Sequence, residues 1–340
     1  MATCVSVEEK RMKMSYIAIQ KKTISIMICL LVCVSTYTHA QTQVDKTLDS
    51  APNPIVSIEH INGTIDIKVW DKNQVKVTGT INEDALGWEF KRSGRHITIE
   101  VEHKSNISFW GNKSSKSSGE DNLVIMVPLT TEIDYEAVNG TLTVANISLG
   151  VTAEVVNGNI NVSDTSGRHR LTTVNGKINA VNIQGDLELE TVNGTIQAIH
   201  EGRGEVELSS VNGELKLTSD AQDISVSSVN ADIELILQRV RELDIDTVNS
   251  SVNASLTLQS DGKVSASSVA ANMTFEFQSA ISARFMVEGY AGGQFTNKIT
   301  DDKTQRDEYG PSRWLEFTAG EGDAKVDIET VSGQVILKTR

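Results

Sequence analysis

A three-residue phrase, Val-Asn-Gly or a close variant, recurs along the middle of this chain at almost constant intervals. Its asparagines are Asn139, Asn157, Asn175, Asn193, Asn212, Asn230 and Asn249, each 18 or 19 residues after the last. Glycine follows the first five, as Gly140, Gly158, Gly176, Gly194 and Gly213. A degenerate copy stands at Val269-Ala270-Ala271, and outlying copies at Ile61-Asn62-Gly63 and Val331-Ser332-Gly333. A fixed period of this length marks a repeat architecture and narrows the possible folds sharply.

Every copy is built alike. Leu187 and Leu189 alternate with Glu188 and Glu190, a period of two and hence a strand. Val192-Asn193-Gly194 breaks the phase. Ile196 and Ala198 then alternate with Thr195 and Gln197 as a second strand, His200 to Gly204 makes a polar turn, and Val206 and Leu208 open the next copy. Glycine after asparagine is expected to supply a positive φ at a tight corner. Two architectures use such a pattern. Asn-Gly between alternating strands is a hairpin signal, and a row of hairpins makes an antiparallel meander. A constant period predicts instead a β-solenoid in which each copy is one coil and equivalent residues stack. Asparagines stacked one strand spacing apart can join their side-chain amides into a ladder, which explains why one residue type is kept at every anchor. The expected fold is therefore an all-β solenoid with coils of 18 or 19 residues. Residues 136–274 contain no Phe, Tyr, Trp or Pro. A narrow coil has little room for rings, and proline would delete a ladder hydrogen bond. Trp70, Trp88, Trp110 and Trp314 all lie outside this stretch.

The open ends of a solenoid need atypical caps. Residues 55–135 and 275–340 are expected to supply them around the repeats of 136–274. Two polar stretches read as loops, 104–122 and 289–312. Residues 41–54 read as a linker, and residues 1–40 as a signal peptide. Lys21 and Lys22 precede the apolar run Ile24 to Val34, which is too short to span a bilayer, and Thr38-His39-Ala40 offers a small residue for a cut after Ala40. Export to the periplasm or cell surface follows, with no transmembrane segment in the mature chain. Cys4, Cys29 and Cys33 all fall in the removed segment, so thiol chemistry and disulfides are not expected beyond it. The net charge of −14 opposes contact with nucleic acid or an anionic membrane.

Motifs that carry chemistry are absent. His60, His96, His103, His169 and His200 form no His-Glu-x-x-His or Cys/His zinc spacing, and there is no Gly-x-Ser-x-Gly elbow. His96 and His103 flank one strand and read as surface residues. No catalytic residue, metal ligand or cofactor is assigned. The carboxylate pairs Glu188/Glu190, Glu205/Glu207, Asp232/Glu234 and Asp244/Asp246 each point to one face of a strand. Stacking is expected to gather Glu188, Glu190, Glu207 and Asp246. Such a gathering has three readings: a divalent-cation site, a glycosidase carboxylate pair, or a solvated face that keeps strands soluble. The solvated face is favoured, because the acidic stretch holds no aromatic residue to stack on a sugar. Exposed aromatics anchor interfaces. The expected partner-binding residues are therefore Phe109 and Trp110, with Lys113 and Lys116, in the first loop, and Tyr290, Phe295 and Tyr309 in the second.

Three stretches also resemble a known family. "LVIMVPLTTEIDYEAVNGTLTV", Leu123 to Val144, joins an apolar strand ending in Val-Pro to the first Asn-Gly copy. "VSIEHINGTIDIKVWDKNQVKVTG" opens the region at Val56, and "DIETVSGQVIL" closes it at Leu337. Together they resemble the bacterial DUF4097 family of adhesin-like proteins, over residues 55–340. The resemblance implies a β-helical exported or surface protein and brings no catalytic residues with it. The stretch 289–312 departs from the family pattern. Three functional classes stand: a non-enzymatic adhesin-like solenoid that binds or organises envelope glycan or protein, a polysaccharide-active enzyme using the acidic pairs, and a scaffold that self-associates through its ends.

Overall fold

A computed structural model describes residues 42–83, 85–103 and 119–340, which form one 21-stranded sheet. The expected signal peptide and the candidates Phe109, Trp110, Lys113 and Lys116 lie outside the described residues. The N-terminal strands are β1 (Thr42–Asp49), β2 (Ile55–Trp70), β3 (Gln74–Ile81), β4 (Ala85–Ser93), β5 (His96–His103) and β6 (Asp121–Pro128). The repeats form β7 (Glu132–Ala145), β8 (Gly150–Asn157), β9 (Ile160–Ser166), β10 (Arg168–Gln184), β11 (Leu187–His200), β12 (Val206–Ser219), β13 (Asp223–Thr247) and β14 (Ser251–Ser268). The C-terminal strands are β15 (Asn272–Phe277), β16 (Ala283–Gly289), β17 (Gln294–Asn297), β18 (Gln305–Arg306), β19 (Arg313–Ala319), β20 (Ala324–Thr330) and β21 (Gln334–Thr339).

The repeats pair parallel with their successors, one period out of step. Leu171 faces Leu189, Leu189 faces Leu208 and Leu208 faces Val226. Asn175 faces Asn193, which in turn faces Asn212. A meander would have paired antiparallel; the chain is a β-solenoid. The core follows from the alternation. Leu171, Leu189, Leu208 and Val226 fill one inward column, and Ile178, Ile196, Leu215 and Ile233 fill the opposite one, all buried. Each such side chain contributes about 1.5–3 kcal/mol by leaving water. β10, β11 and β12 run through the corner without a break, because backbone pairing continues across the asparagine and glycine.

The ends are interleaved. β2 pairs parallel with β7 from Ile55 to Ile67, and on its other side with β5 and then β6. The first coil of the chain thus sits inside the stack, and a coil later in sequence lies outside it. The C-terminal end repeats the device. β20 lies between β14 and β16, and β21 between β15 and β17. Antiparallel strands then close both ends, β4 on β5 and β3 on β6 at one, β19 on β16 at the other.

Three boundaries differ from expectation. Residues 41–54 are no linker, because β1 pairs antiparallel with β3. The stretch 289–312 contains β17 and β18. The first loop ends before Asp121, because Asp121 and Asn122 open β6 against Gly63 and Thr64. In each case a non-local partner supplies the hydrogen bonds that order a polar stretch.

Candidate binding groove

The corner of each coil places its three residues in three environments. The asparagine side chains form a continuous ladder at the surface. Asn139 donates to Asn62 (2.6 Å), Asn157 to Asn139 (2.9 Å), Asn175 to Asn157 (2.9 Å) and Asn193 to Asn175 (3.2 Å). Asn212 continues it to Asn193 (2.9 Å), Asn230 to Asn212 (3.2 Å) and Asn249 to Asn230 (3.5 Å).

The glycines are required, but not for the expected reason. Gly158 and Gly213 have φ of 148° and 142°, whereas Gly140, Gly176 and Gly194 are not at positive φ. What excludes a side chain is the coil beneath. A Cβ on Gly194 would lie 1.9 Å from the Gly176 carbonyl oxygen and 2.8 Å from Thr191 Oγ1. Hydroxyls occupy that inner column. Thr173, Thr191, Ser210, Ser228 and Thr247 are all buried there, just before each corner.

The valines face outward. Val138 and Val156 are each 43% exposed and Val174 is 37% exposed; Val192 is half-buried, and Val211, Val229, Val248, Val269 and Val331 continue the exposed ridge beyond it. Single exposed apolar residues are ordinary, but a contiguous row is not.

Beside the first part of this ridge runs a column of carboxylates. Glu59 faces Glu100 on one side and Glu136 on the other, and Glu136 faces Glu154. Strand spacing puts such neighbours about 4.8 Å apart. Burial pushes the Glu136 carboxyl above its ordinary value, and Asp134, Glu59 and Glu154 add to the shift. Ridge and column form the two walls of a groove of about 600 Å³ that crosses from Glu100 to Val174. Leu86 overhangs it, turned out by an irregularity where β4 leaves register with β5.

Below the groove lies a buried polar cluster. His60 Nε2 is 2.8 Å from the Tyr135 hydroxyl, and its Nδ1 is 3.6 Å from Asp121 Oδ2. Asp121 also accepts a hydrogen bond from the Asn82 backbone at 2.9 Å. Burial holds the Tyr135 hydroxyl above its usual range. The cluster joins β2, β6 and β7 at the point where the first coil is interleaved, and it packs against Gly140, whose Cβ would meet the Tyr135 hydroxyl at 2.4 Å.

Two further histidines are buried. His200 bonds to the Gly185 carbonyl (2.8 Å) and to Ser219 (3.1 Å). Neither ring nitrogen of His169 has a hydrogen-bond partner. Burial lowers its pKa to about 4; the nearby backbone of Gly167 and Asp186 opposes this weakly, and His200 adds to the lowering. Sequence reasoning passed over these three histidines because it searched for ligand spacing. Aligning the copies would have placed His60 in the inward column of Thr173 and Thr191.

The acidic pairs of the repeats are only partly gathered. Glu188 faces Glu207, but Arg170 also pairs with Glu188 at 2.7 Å. Glu190 faces Ser209, which faces Ser227. Asp246, beyond these, accepts a hydrogen bond from Ser267. Of the aromatic candidates, Tyr309 is 91% exposed, and Tyr290 is half exposed with its hydroxyl on Glu288 and Glu329. Phe295 instead is partly buried and packs on the core, beside the backbone of Gly289. No helix among the described residues is long and apolar enough to cross a membrane.

The model of the Toastrack DUF4097 family matches residues 55–338. A solved structure of a candidate cell adhesion protein from Clostridium sporogenes is similar at 11% identity, over 88% of this chain and 100% of that one. Its TM-score of 0.23 is too low to extend the likeness to this chain. No curated protein matches the chain.

Proposed function

Because this chain belongs to the Toastrack DUF4097 family, we propose that it acts as a non-enzymatic, exported, adhesin-like β-solenoid that binds or organises components of the cell envelope. The observation that carries this reading is the outer corner. A ladder of side-chain amides holds it in register, and along it runs an exposed valine ridge flanked by carboxylates. A ridge of this kind has a cost in water that contact with a partner removes. The rigid stack keeps the ridge ordered before binding, so little conformational entropy is lost on contact.

The test is retention. The purified chain from Gln41 onward is incubated with cell envelopes, washed, and the bound fraction measured against an unrelated β-solenoid. Retention at or below that of the control sinks the reading. Export is checked by the mass of the protein recovered from outside the cytoplasm, which is expected to begin at Gln41. The polysaccharide-active alternative is checked with a glycan panel, on which no release of reducing ends is expected.

A further inference from the structure

We propose that the groove between Glu100 and Val174 binds an extended, lysine-bearing segment of a partner protein in which apolar and basic side chains alternate. This deepens the envelope-binding reading and rests on it for where the partner lies.

Charge gives the first argument. Glu59, Glu136 and Glu154 form no ion pair among the described residues. Several carboxylates in later coils find partners: Arg170 pairs with Glu188, Lys216 with Glu214, and Lys338 with Glu276, at 2.7–2.9 Å. Like charges directly opposite each other across strands are unfavourable. In the groove that repulsion is left in place, which a cation supplied from outside would relieve. Anionic ligands are repelled by the same wall.

Shape and polarity narrow the cation. The second wall is apolar, with Val138, Val156 and Val174 exposed and Leu86 overhanging at 59% exposure. A small hydrated amine leaves that wall wet. A metal ion fits less well, since no group of three or more His, Cys, Asp or Glu is placed to hold one among the described residues. An extended peptide laid along the groove presents alternate side chains to opposite walls. Its own repeat of about 6.8 Å differs from the rung spacing of about 4.8 Å, and the flexible stem of lysine absorbs the mismatch. Apolar residues then meet the valine ridge, and lysines meet the glutamate column.

The probe is a fluorescent peptide of alternating valine and lysine, titrated with the purified chain and read by anisotropy. Replacing Glu59, Glu136 and Glu154 together by Gln is expected to weaken binding by about tenfold or more and to flatten its salt dependence. Val138→Thr with Val156→Thr is expected to weaken it by about threefold. A control of equal charge change, Asp301→Asn, Asp307→Asn and Glu308→Gln, is expected to stay within about twofold, since long-range attraction is screened by salt. In the unmodified chain, carbodiimide is expected to join lysines of the bound peptide to Glu59, Glu136 or Glu154 as amides and to leave Glu207 without peptide attached. That measurement holds even if a multiple variant fails to fold. Equal weakening by the control, equal binding of a serine–lysine or valine–glutamate peptide, or no cross-link to the column of Glu59, Glu136 and Glu154 would each overturn the proposal. The peptide measurements decide the groove, and envelope retention of the unmodified chain decides the wider reading, so either can fail without the other.

Discussion

The early coils of the array and the later ones keep the same asparagine ladder on different foundations. From Asn139 to Asn212 the ladder residue is followed by glycine, and the preceding coil's backbone sits so close that a Cβ on Gly213 would fall 1.7 Å from the Gly194 carbonyl oxygen. From Asn230 onward the follower is Ala231, then Ser250, then Ala271. Ala231 is buried and still pairs with Gly213 in register. At the next corner the strand breaks: β13 ends at Thr247, β14 begins at Ser251, and the Ser250 hydroxyl accepts from the Ala231 backbone at 3.3 Å. The last ladder bond, Asn249 to Asn230, has lengthened to 3.5 Å. The glycines thus serve close stacking, and where stacking loosens, side-chain hydrogen bonds take over the corner.

The largest expected effect tests that division. Gly194→Ala puts a methyl group against a backbone oxygen that cannot move without parting two coils, and about 3 kcal/mol or more of stability should be lost. If φ alone mattered, alanine would be tolerated or slightly stabilising, because it lowers the entropy of the unfolded chain. The reverse change in the later region, Ala231→Gly, should cost only about 1 kcal/mol, through a lost methyl and a freer unfolded chain. Urea unfolding of both variants decides; a neutral Gly194→Ala would end the close-stacking account.

His169 gives the next effect. It lies between Val151 and Leu187 in register, neutral and without a hydrogen-bond partner for either ring nitrogen, and the ionisable group that acts on it is His200. Its folded pKa, about 4, lies below the ordinary histidine value of 6.5, so the unfolded chain takes up the proton first. Stability is therefore whole above pH 6.5 and falls as pH drops towards 4, by about 3 kcal/mol from this residue. His169→Leu should remove that part of the slope. Parallel pH profiles for the two proteins would show that the ring is not the source.

The ladder itself comes third. Asn193→Ala removes two exposed amide bonds, one of 3.2 Å and one of 2.9 Å, and should cost about 1 kcal/mol. Asn249→Ala removes one bond of 3.5 Å at the ladder's end, and should cost no more than about 0.3 kcal/mol. Equal costs would show that the bond lengths do not mark a weakening ladder.

What the sequence made legible was whatever repeats at a fixed interval. The alternation of Leu187, Leu189, Ile196 and Ala198 set the inward faces, and the spacing of Asn175, Asn193 and Asn212 set the ladder. What it hid depends on partners far away in the chain. Asp121 reads as the end of a polar loop until β2 supplies its backbone partner at Gly63. Ile61-Asn62-Gly63 was visible as a stray copy of the phrase, but not as a rung beside Asn139, because the chain inserts a whole coil between them. The outward turn of Val138 was equally hidden, since a three-residue break in phase leaves either face open. The groove was invisible for the same reasons: its glutamates come from β2, β5, β7 and β8, and only stacking lines them up.

The smallest expected effect concerns that glutamate column and sharpens the contrast with the paired charges further along. Burial and the neighbouring carboxylates of Asp134, Glu59 and Glu154 raise the Glu136 pKa above its value in the unfolded chain. A carboxyl raised on folding holds its proton longer in the native state, so its ionisation at neutral pH works against stability. Glu136→Gln should therefore stabilise the protein at pH 7 and low salt. The side chain is largely exposed and screened by water, so the gain should stay below about 0.5 kcal/mol and fade as salt rises. Glu188→Gln is the opposite case. Glu188 holds Arg170 at 2.7 Å, and its loss should leave stability unchanged or lower it by up to about 1 kcal/mol. Thermal melts of the two variants across a salt series separate the outcomes. A stabilised Glu136→Gln that also binds the valine–lysine peptide more weakly would mean that the unpaired column is kept at a small cost in stability for what it binds. A destabilised Glu136→Gln would mean that the column already has its counter-charge, and the case for an external cation would lose its electrostatic basis.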